Sequence, residues 1–304
     1  MALEGIHHVT AITGDAPANV DFYTRVLGLR MIKKTVNFDD PSVYHLYYGD
    51  EQATPGAAMT FFEFPGAIPG TAGEGMVHTI GWRVGSAQSL EYWSERLLAL
   101  ETPSERGGDL LRFADPEGMT LELHAASVPD KPLASVDDDI PAEHALQGFH
   151  SVRAYSSDPE RSSELLESLG FKSLGGNAWE SRGSERGGSY HYDAPPEGVR
   201  PSQSGGTVHH VAWSAADDDE LQEFREKAAA HHARPTPIID RQYFHSVYFR
   251  EPSGVLFELA SRDIGFDVDE PLDHLGERLV LPPQHEHLRD RLEQSLTPLP
   301  PSRR

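Results

Sequence analysis

The sequence predicts an α+β fold of four βαβββ modules in two domains, with cupped mixed sheets and helices outside. Three observations predict it. Four short segments resemble one another (GIHHVTAI, MVHTIGWRV, GFHSVRAY and GTVHHVAW). An amphipathic helical pattern follows each segment, and short alternating apolar and polar runs follow each helix. We consider this repeat before any other signal in the sequence, because a repeat of this length determines the architecture.

The helix of the first module has recognisable ends. Asp15 is a suitable N-cap, Pro17 suits the first turn and Gly28 ends the helix. Apolar residues recur between them at i, i+3 and i+7 spacing, which is typical of a helix with one buried face.

The repeats divide the chain. A Pro- and Asp-rich stretch separates the second module from the third, and we interpret it as a linker. The predicted regions are an N-terminal domain of two modules, 1–126; the linker, 127–146; a C-terminal domain of two modules, 147–262; and a C-terminal extension, 263–304.

Composition excludes several classes of function. The net charge is −22, from 48 acidic and 26 basic residues, which argues against a nucleic-acid partner. No apolar run is long enough to span a bilayer, and the N-terminus lacks a signal-peptide pattern, so we expect a cytoplasmic protein without a membrane partner. A homo-oligomer is compatible with the sequence. Because there are no cysteines, any metal must bind histidine and carboxylate.

The histidines differ between modules in an informative way. All four segments carry a first histidine, at 7, 78, 150 and 209. Only the outer two segments carry a second, His8 and His210, and the inner two have Thr79 and Ser151 there. For His78 and His150 a structural role is the better interpretation. The asymmetry predicts one metal site, built from the outer modules.

A Gly-x-x-x-Glu pattern in the last strand of a module supplies the third ligand, Glu258. The same spacing gives Glu122 in the second module and Thr60 in the first. Two histidines and one carboxylate leave coordination positions open for both an organic substrate and dioxygen, as in non-haem Fe(II) oxygenases. We therefore expect Fe(II), with Mn(II) as the alternative.

Strict strand alternation separates the paired histidines. Successive side chains of a strand point to opposite faces, so His7 and His209 are expected on the face opposite to His8 and His210.

Several stretches together carry a family resemblance: GIHHVTAITGDAPANVDFYTRVLGLR, DPSVYHLYYGDEQATPGAAMTFFEFP, GTVHHVAWSA, RQYFHSVYFREPSGVLFELAS and LGERLVLPPQHEHLR. They resemble the vicinal-oxygen-chelate superfamily, which includes glyoxalases, bleomycin resistance proteins and extradiol dioxygenases. Within it they are most similar to ring-cleaving dioxygenases that act on hydroquinones.

The resemblance implies a site and a module pairing. It implies metal ligands at His8, His210 and Glu258, and pairing of the first module with the fourth. It also implies catalytic roles for Tyr248 and Arg241, on the strand before the glutamate. His7 and His209 match histidines that lie behind the ligands in the family, and a bulge or twist would be needed to reconcile this with strand alternation. His245 stands where some relatives have glutamate, which predicts an altered pocket.

The predicted function is that of a non-haem Fe(II) ring-cleaving dioxygenase of extradiol type, which inserts O2 into a small dihydroxylated aromatic of hydroquinone or catechol type. Tyr248 would act as an acid/base or orient the substrate oxygen, and Arg241 would stabilise negative charge.

Two alternatives stay open. A glyoxalase-like, metal-dependent lyase or isomerase would need a second carboxylate, where the sequence has Thr60. A metal-free protein that binds an aromatic compound or drug would contain no metal after purification and would consume no oxygen.

Overall fold

A computed structural model describes residues 2–301 of the chain. Residue 1 and residues 302–304, with which the predicted extension ends, lie outside the described residues. The first module contains β1 Ile6–Thr13, α1 Ala16–Asp21, β2 Arg30–Val36, β3 Tyr44–Gly49 and β4 Ala58–Glu63. The second contains β5 Val77–Val84, α2 Ala87–Ala99, β6 Ser104–Gly107, β7 Leu110–Ala114 and β8 Thr120–Ala125.

The second half of the chain repeats this order. The third module contains β9 Phe149–Tyr155, α3 Ser163–Ser168, β10 Lys172–Gly175, β11 Ala178–Arg182 and β12 Gly187–Asp193. The fourth contains β13 Val208–Ala215, α4 Asp218–Ala230, β14 Ile239–Asp240, β15 His245–Arg250 and β16 Leu256–Ser261. The predicted α+β class with mixed sheets is confirmed.

The first helix is shorter than its pattern suggests. Asp15 caps α1 by accepting from the backbone N–H of Ala18, as the sequence predicts. After Asp21 the chain continues as a π-helical turn, Phe22–Val26. Gly28 follows with φ +68°, a left-handed conformation that favours glycine.

Two eight-stranded sheets contain the strands of all four modules. The first sheet has the order β14-β15-β16-β13-β1-β4-β3-β2, and the second has the order β10-β11-β12-β9-β5-β8-β7-β6. The first module therefore shares a sheet with the fourth, as the family resemblance implies. Each sheet combines modules from both halves of the chain, and the division into domains 1–126 and 147–262 stays a prediction.

A β-bulge lies at the first histidine of every module. In the β1–β13 pair, the register moves from Ile6 opposite Trp213 to His8 opposite Ala212, so His7 is the extra residue. On β13 the register skips His209 in the same way. The β5–β9 pair skips 78 and 150. The first histidine of each module thus lies at a β-bulge that recurs at the same position in all four modules.

The apolar side of each sheet is filled by large aromatic side chains. Trp213 on β13 and Trp82 on β5 are fully buried. Trp213 packs against Phe257, and Trp82 packs against Phe149, with ring centroids 5.6 and 4.4 Å apart. The opposite face of the first sheet is left to form a cavity.

The C-terminal extension contacts the first sheet at β2, the last strand in the sheet order. The fully buried Nζ of Lys33 lies 2.7 Å from carboxylate oxygens of both Asp269 and Glu270. Arg30 donates to the carbonyl of Leu272 at 2.6 Å. The extension ends in a short helix, α5 Arg289–Ser295. Among the described residues, no helix combines the length and apolarity needed to cross a membrane.

Candidate active site

Three buried side-chain atoms that could bind a metal converge on the concave side of the first sheet. Nε2 of His8 on β1 lies 3.3 Å from Nε2 of His210 on β13. Oε2 of Glu258 on β16 lies 3.2 Å from the first nitrogen and 2.8 Å from the second. Of the described His, Cys, Asp and Glu side chains, this is the one group of three or more whose geometry suits a metal ion.

One carboxylate oxygen of Glu258 accepts hydrogen bonds from neighbouring side chains, and the other faces the two imidazoles. Its Oε1 accepts hydrogen bonds from Ser246 Oγ and, at 3.0 Å, from Tyr248 OH. Among the described residues its buried Oε2 has no donor in good hydrogen-bond geometry, although both imidazoles lie close to it. An orphaned, buried oxygen facing two ring nitrogens fits the donor set of a divalent metal.

A second histidine stands behind each imidazole. His7 Nδ1 lies 2.9 Å from His8 Nδ1, and His209 Nδ1 lies 2.7 Å from His210 Nδ1. His7 Nε2 lies 3.2 Å from the carbonyl oxygen of Ser261, which can only accept. His7 therefore carries its proton on Nε2 and accepts at Nδ1, so His8 is protonated at Nδ1 and its Nε2 is free to bind a metal.

Burial keeps these supporting histidines neutral. Burial, with a smaller contribution from the neighbouring imidazole of each pair, lowers the pKa of His7 and that of His209 to about 3. Burial also lowers the pKa of His210. For Glu258, burial raises the pKa, but His8 and His210 together lower it by more, so the pKa ends well below its usual value. Neutral imidazoles and an ionised carboxylate are the protonation states that ligation requires.

A cavity of about 620 Å³ opens onto the three ligand atoms. This volume lies within the range of small-molecule sites. Its apolar wall consists of Ile12, Phe38, Phe62, Phe64, Ala67, Phe244 and Leu256. Its polar wall, besides the ligands, consists of Asn37, Asp39, His45, Gln203, Ser204, His209, Arg241 and Tyr248. The cavity suits an aromatic ring that carries a few polar groups.

Tyr248 and Arg241 lie together in this cavity. The Arg241 guanidinium carbon lies 5.3 Å from the centre of the Tyr248 ring, and Nη1 lies 3.0 Å from a carboxylate oxygen of Asp39. Burial raises the pKa of Tyr248, so the phenol keeps its proton. Tyr248 lies on β15, but Arg241 follows β14 in the turn, so the expectation that both lie on one strand is wrong for the arginine.

Two further expectations need correction. His7 and His209 do not point away from their neighbours, because the bulges bring both rings of each pair to one side of the strand. His245 does not line the cavity; its Nδ1 lies 2.6 Å from a carboxylate oxygen of Asp218.

The second sheet does not assemble a matching site. Glu122 on β8 is buried, but Arg112 and His124 already bind its two oxygens, at 2.6 and 3.0 Å. Thr79 and Ser151 stand at the histidine positions. This arrangement agrees with the prediction of one site, and the ligand role of the three residues in the first sheet stays a prediction.

Sequence reasoning missed two polar residues in or beside the cavity. Ser246 binds Glu258, and His45 reaches the cavity from β3. Neither has an identical counterpart in another module, so the repeat comparison gave no signal for them. The alternation in YHLYY, which places 45 and 47 on one face, was the available clue.

The family profile "Glyoxalase/Bleomycin resistance protein/Dioxygenase superfamily" matches residues 5–123 and 148–259. The chain belongs to this superfamily. Its relatives include the "Putative ring-cleaving dioxygenase MhqA" of Bacillus subtilis (strain 168), 39% identical over 98% of this chain and 100% of the relative. They also include the chlorohydroquinone/hydroquinone 1,2-dioxygenase of Sphingobium indicum, 31% identical over 97% and 96%.

Solved structures agree with this membership of the superfamily. A "putative dioxygenase" from Bacillus subtilis subsp. subtilis str. 168 superposes with a TM-score of 0.91 at 37% identity, covering 98% of each chain. Glyoxalase I from Zea mays superposes with a TM-score of 0.62 at 14% identity, covering 90% of this chain and 97% of that one. The second likeness shows the shared fold alone.

Proposed function

We propose that this protein is an Fe(II)-dependent dioxygenase that cleaves the ring of a dihydroxylated aromatic of hydroquinone or catechol type. The observation that carries the proposal is the set of three buried ligand atoms, from His8, His210 and Glu258, that face an aromatic-lined cavity. The ring-cleaving relatives, one of them named for hydroquinone, support the same reaction class. Mn(II) is the alternative metal.

The number of ligands favours oxygen chemistry over a glyoxalase-like reaction. Thr60 pairs with Thr10, two residues after His8, just as Glu258 pairs with Ala212, two residues after His210. Thr60 thus stands where a fourth, carboxylate ligand would lie. When bound, Fe(II) would supply a Lewis-acidic centre with positions open to a substrate oxygen and to dioxygen.

The residues around the ligands would bind and orient the aromatic substrate. Phe62 and Phe244 offer ring faces, and Phe244 also packs against His8 with centroids 5.1 Å apart. Tyr248 keeps its proton and donates it to Glu258 here; with substrate bound, it would turn that proton to a substrate oxygen as a hydrogen bond or by transfer. Arg241 would stabilise negative charge that develops on the substrate.

The supporting histidines would hold the ligands in the required tautomer. His7 is anchored to a backbone carbonyl and fixes His8. His209 contacts His210 in the same way and also lines the cavity, where it is available for proton transfer.

Oxygen consumption tests the proposal. Protein loaded with Fe(II) under anaerobic conditions is given hydroquinones and catechols side by side in oxygenated buffer. We expect oxygen uptake and a ring-opened chromophore, and expect His210→Ala to abolish both because it removes a ligand. Bound iron without uptake across a broad panel of diols would favour lyase chemistry. Absence of both bound metal and uptake would favour a binding protein.

A further inference from the structure

A line of four hydrogen-bonded side chains runs through the first module beside the site. Tyr47 OH lies 2.9 Å from His45 Nδ1, and His45 Nε2 lies 3.0 Å from Thr60 Oγ1. Thr60 Oγ1 lies 2.7 Å from Thr10 Oγ1. Thr10, Tyr47 and Thr60 are buried, and His45 is the member that lines the cavity.

This line is the first module's counterpart of the groups that hold Glu258. On β3 and β4, Tyr47 lies opposite Thr60, as Tyr248 lies opposite Glu258 on β15 and β16. His45 therefore corresponds to Ser246, which binds Glu258. In the fourth module these strand positions hold the carboxylate of Glu258, and in the first module they hold the hydroxyl of Thr60.

The hydrogen bonds of this line all run in one direction. Burial raises the pKa of Tyr47 well above its usual value and lowers that of His45 well below its usual value, so the phenol keeps its proton and the imidazole is neutral. A neutral imidazole donates from one nitrogen and accepts at the other, so the line runs either from Tyr47 through His45 and Thr60 to Thr10 or in the reverse direction. The Cα of Thr10 pairs with that of His210.

The His45 ring is also held by packing. Its centroid lies 4.1 Å from that of Tyr47 and 4.4 Å from that of Phe62. With both nitrogens bonded and the ring packed against two neighbours, the imidazole has one orientation.

We propose that His45 is a positioning residue for the reaction: it fixes the hydroxyls of Thr60 and Thr10 at the place of the absent fourth ligand. The first module would then offer a metal no fourth carboxylate, and its polar contribution to the cavity beside the proposed ligands would include the fixed, neutral imidazole of His45. The inference rests on the proposed function and adds a residue that the family's ligand pattern does not contain.

The test compares His45→Phe, which keeps a ring but removes both hydrogen bonds, with His45→Gln, whose amide can still donate to Thr60. Tyr47→Phe breaks the line one bond further away, outside the cavity. His144→Phe is the matched control, because His144 also stacks on a tyrosine but lies in the predicted linker. Circular dichroism and iron content are measured for each.

We expect kcat of His45→Phe to fall by about 100-fold, the loss typical of a misplaced group, with little change in KM. His45→Gln should recover part of the loss, Tyr47→Phe should show a smaller loss, and His144→Phe should match the wild type. Equal kcat in His45→Phe and wild type would overturn the inference and leave the proposed function standing.

A second readout does not depend on turnover. Nitric oxide binds Fe(II) at an open position, and the electron paramagnetic resonance spectrum of the complex reports the surroundings of that position. We expect His45→Phe to change and broaden this spectrum at unchanged iron content, and His45→Gln to restore it in part. Identical spectra in wild type and His45→Phe would overturn the inference even if no aromatic diol were a substrate.

Discussion

At the scale of single residues, the site separates the proposed ligands from the groups that orient them. His8 and His210 present one ring nitrogen each, and His7 and His209 hold the other. The two oxygens of Glu258 also differ in role: Oε1 accepts hydrogen bonds from Ser246 and Tyr248, and Oε2 faces the two imidazoles. These contacts hold each proposed ligand in one orientation, which would reduce the free energy that ordering costs when a metal binds.

Tyr248→Phe tests the phenol directly. The substitution keeps the ring beneath Arg241 but removes the hydroxyl 3.0 Å from Glu258. We expect turnover to fall by about 100-fold or more, the usual contribution of an acid/base group, while iron content stays near that of the wild type. Oxygen-uptake rates and metal analysis on the same samples measure both. Unchanged turnover would refute the role of Tyr248.

Glu122→Gln tests the carboxylate of the second sheet. Burial raises the pKa of Glu122, but His124 and Arg112 together lower it by more, so it ends at about 2. Because the folded-state pKa is depressed, this stabilisation is present above pH ~4.5 and is lost as the pH falls toward 2. It amounts to about 2 kcal/mol, allowing for the partly exposed Arg112.

Urea unfolding at a series of pH values measures this effect. The variant should lose the acid-dependent part of its free energy of unfolding between pH ~4.5 and ~2. Glu105→Gln on the exposed strand β6 is the control. A wild-type slope in Glu122→Gln would show that the ion pairs contribute nothing to stability.

Comparison of repeats predicts the group of His8, His210 and Glu258 that the structure brings together, but it does not detect residues that occur in one module alone. His8, His210 and Glu258 were predictable because the same positions of other modules carry Thr79, Ser151 and Thr60. His45 acts through Tyr47 and Thr60, contacts that exist only once β3 and β4 are paired. The alternation in YHLYY places 45 and 47 on one face, but it does not separate His45 from a histidine of the core.

At the scale of elements, the bulges decide how the histidine pairs work. The alternation rule describes β1 and β13 correctly except at 7 and 209, where an extra residue enters the antiparallel pair. A bulge depends on the register of two strands that are distant in the chain, so a local pattern cannot predict it. The strands, the helix order and the N-cap at Asp15 depend on local pattern and were predicted.

The C-terminal extension offers a prediction at the same scale. Lys33→Met on β2 removes the cation that lies between Asp269 and Glu270. Leaving a buried carboxylate without its partner costs about 3–5 kcal/mol, so we expect the extension to detach and become susceptible to protease. Limited proteolysis followed by mass spectrometry detects this.

Lys34→Met is the matched control for the extension, since Lys34 is the next residue of β2 and its amine donates to the carbonyl of Glu277 in an exposed contact. It should be cleaved at nearly the wild-type rate. Equal cleavage of both variants would mean that the Lys33 ion pairs do not hold the extension in place.

At the scale of the whole molecule, each sheet joins strands from the first half of the chain to strands from the second half. β1 lies between β13 and β4, and β5 lies between β9 and β8. A fragment of residues 1–126 would therefore leave β1 and β5 each without the partner strand from the other half. The pairing of modules across the chain was implied by the family resemblance and was not available from local sequence.

Fragments 1–126 and 127–304, produced separately, test how the halves depend on one another. We expect neither to show a cooperative thermal transition alone, because each contains half of both sheets. Mixing them should restore the transition and the circular dichroism of the intact chain. A cooperative transition in the isolated 1–126 fragment would support its prediction as an independent domain.

The distribution of the ligands along the chain has a consequence for biosynthesis. His8 leaves the ribosome early, and Glu258 follows roughly 250 residues later, on the order of ten seconds or more at ordinary elongation rates. During that interval the nascent chain carries one of the three ligands and then two. The proposed oxygen chemistry would thus be confined to polypeptides that contain all three proposed ligands, and growing chains and the translation machinery around them would be spared oxidation.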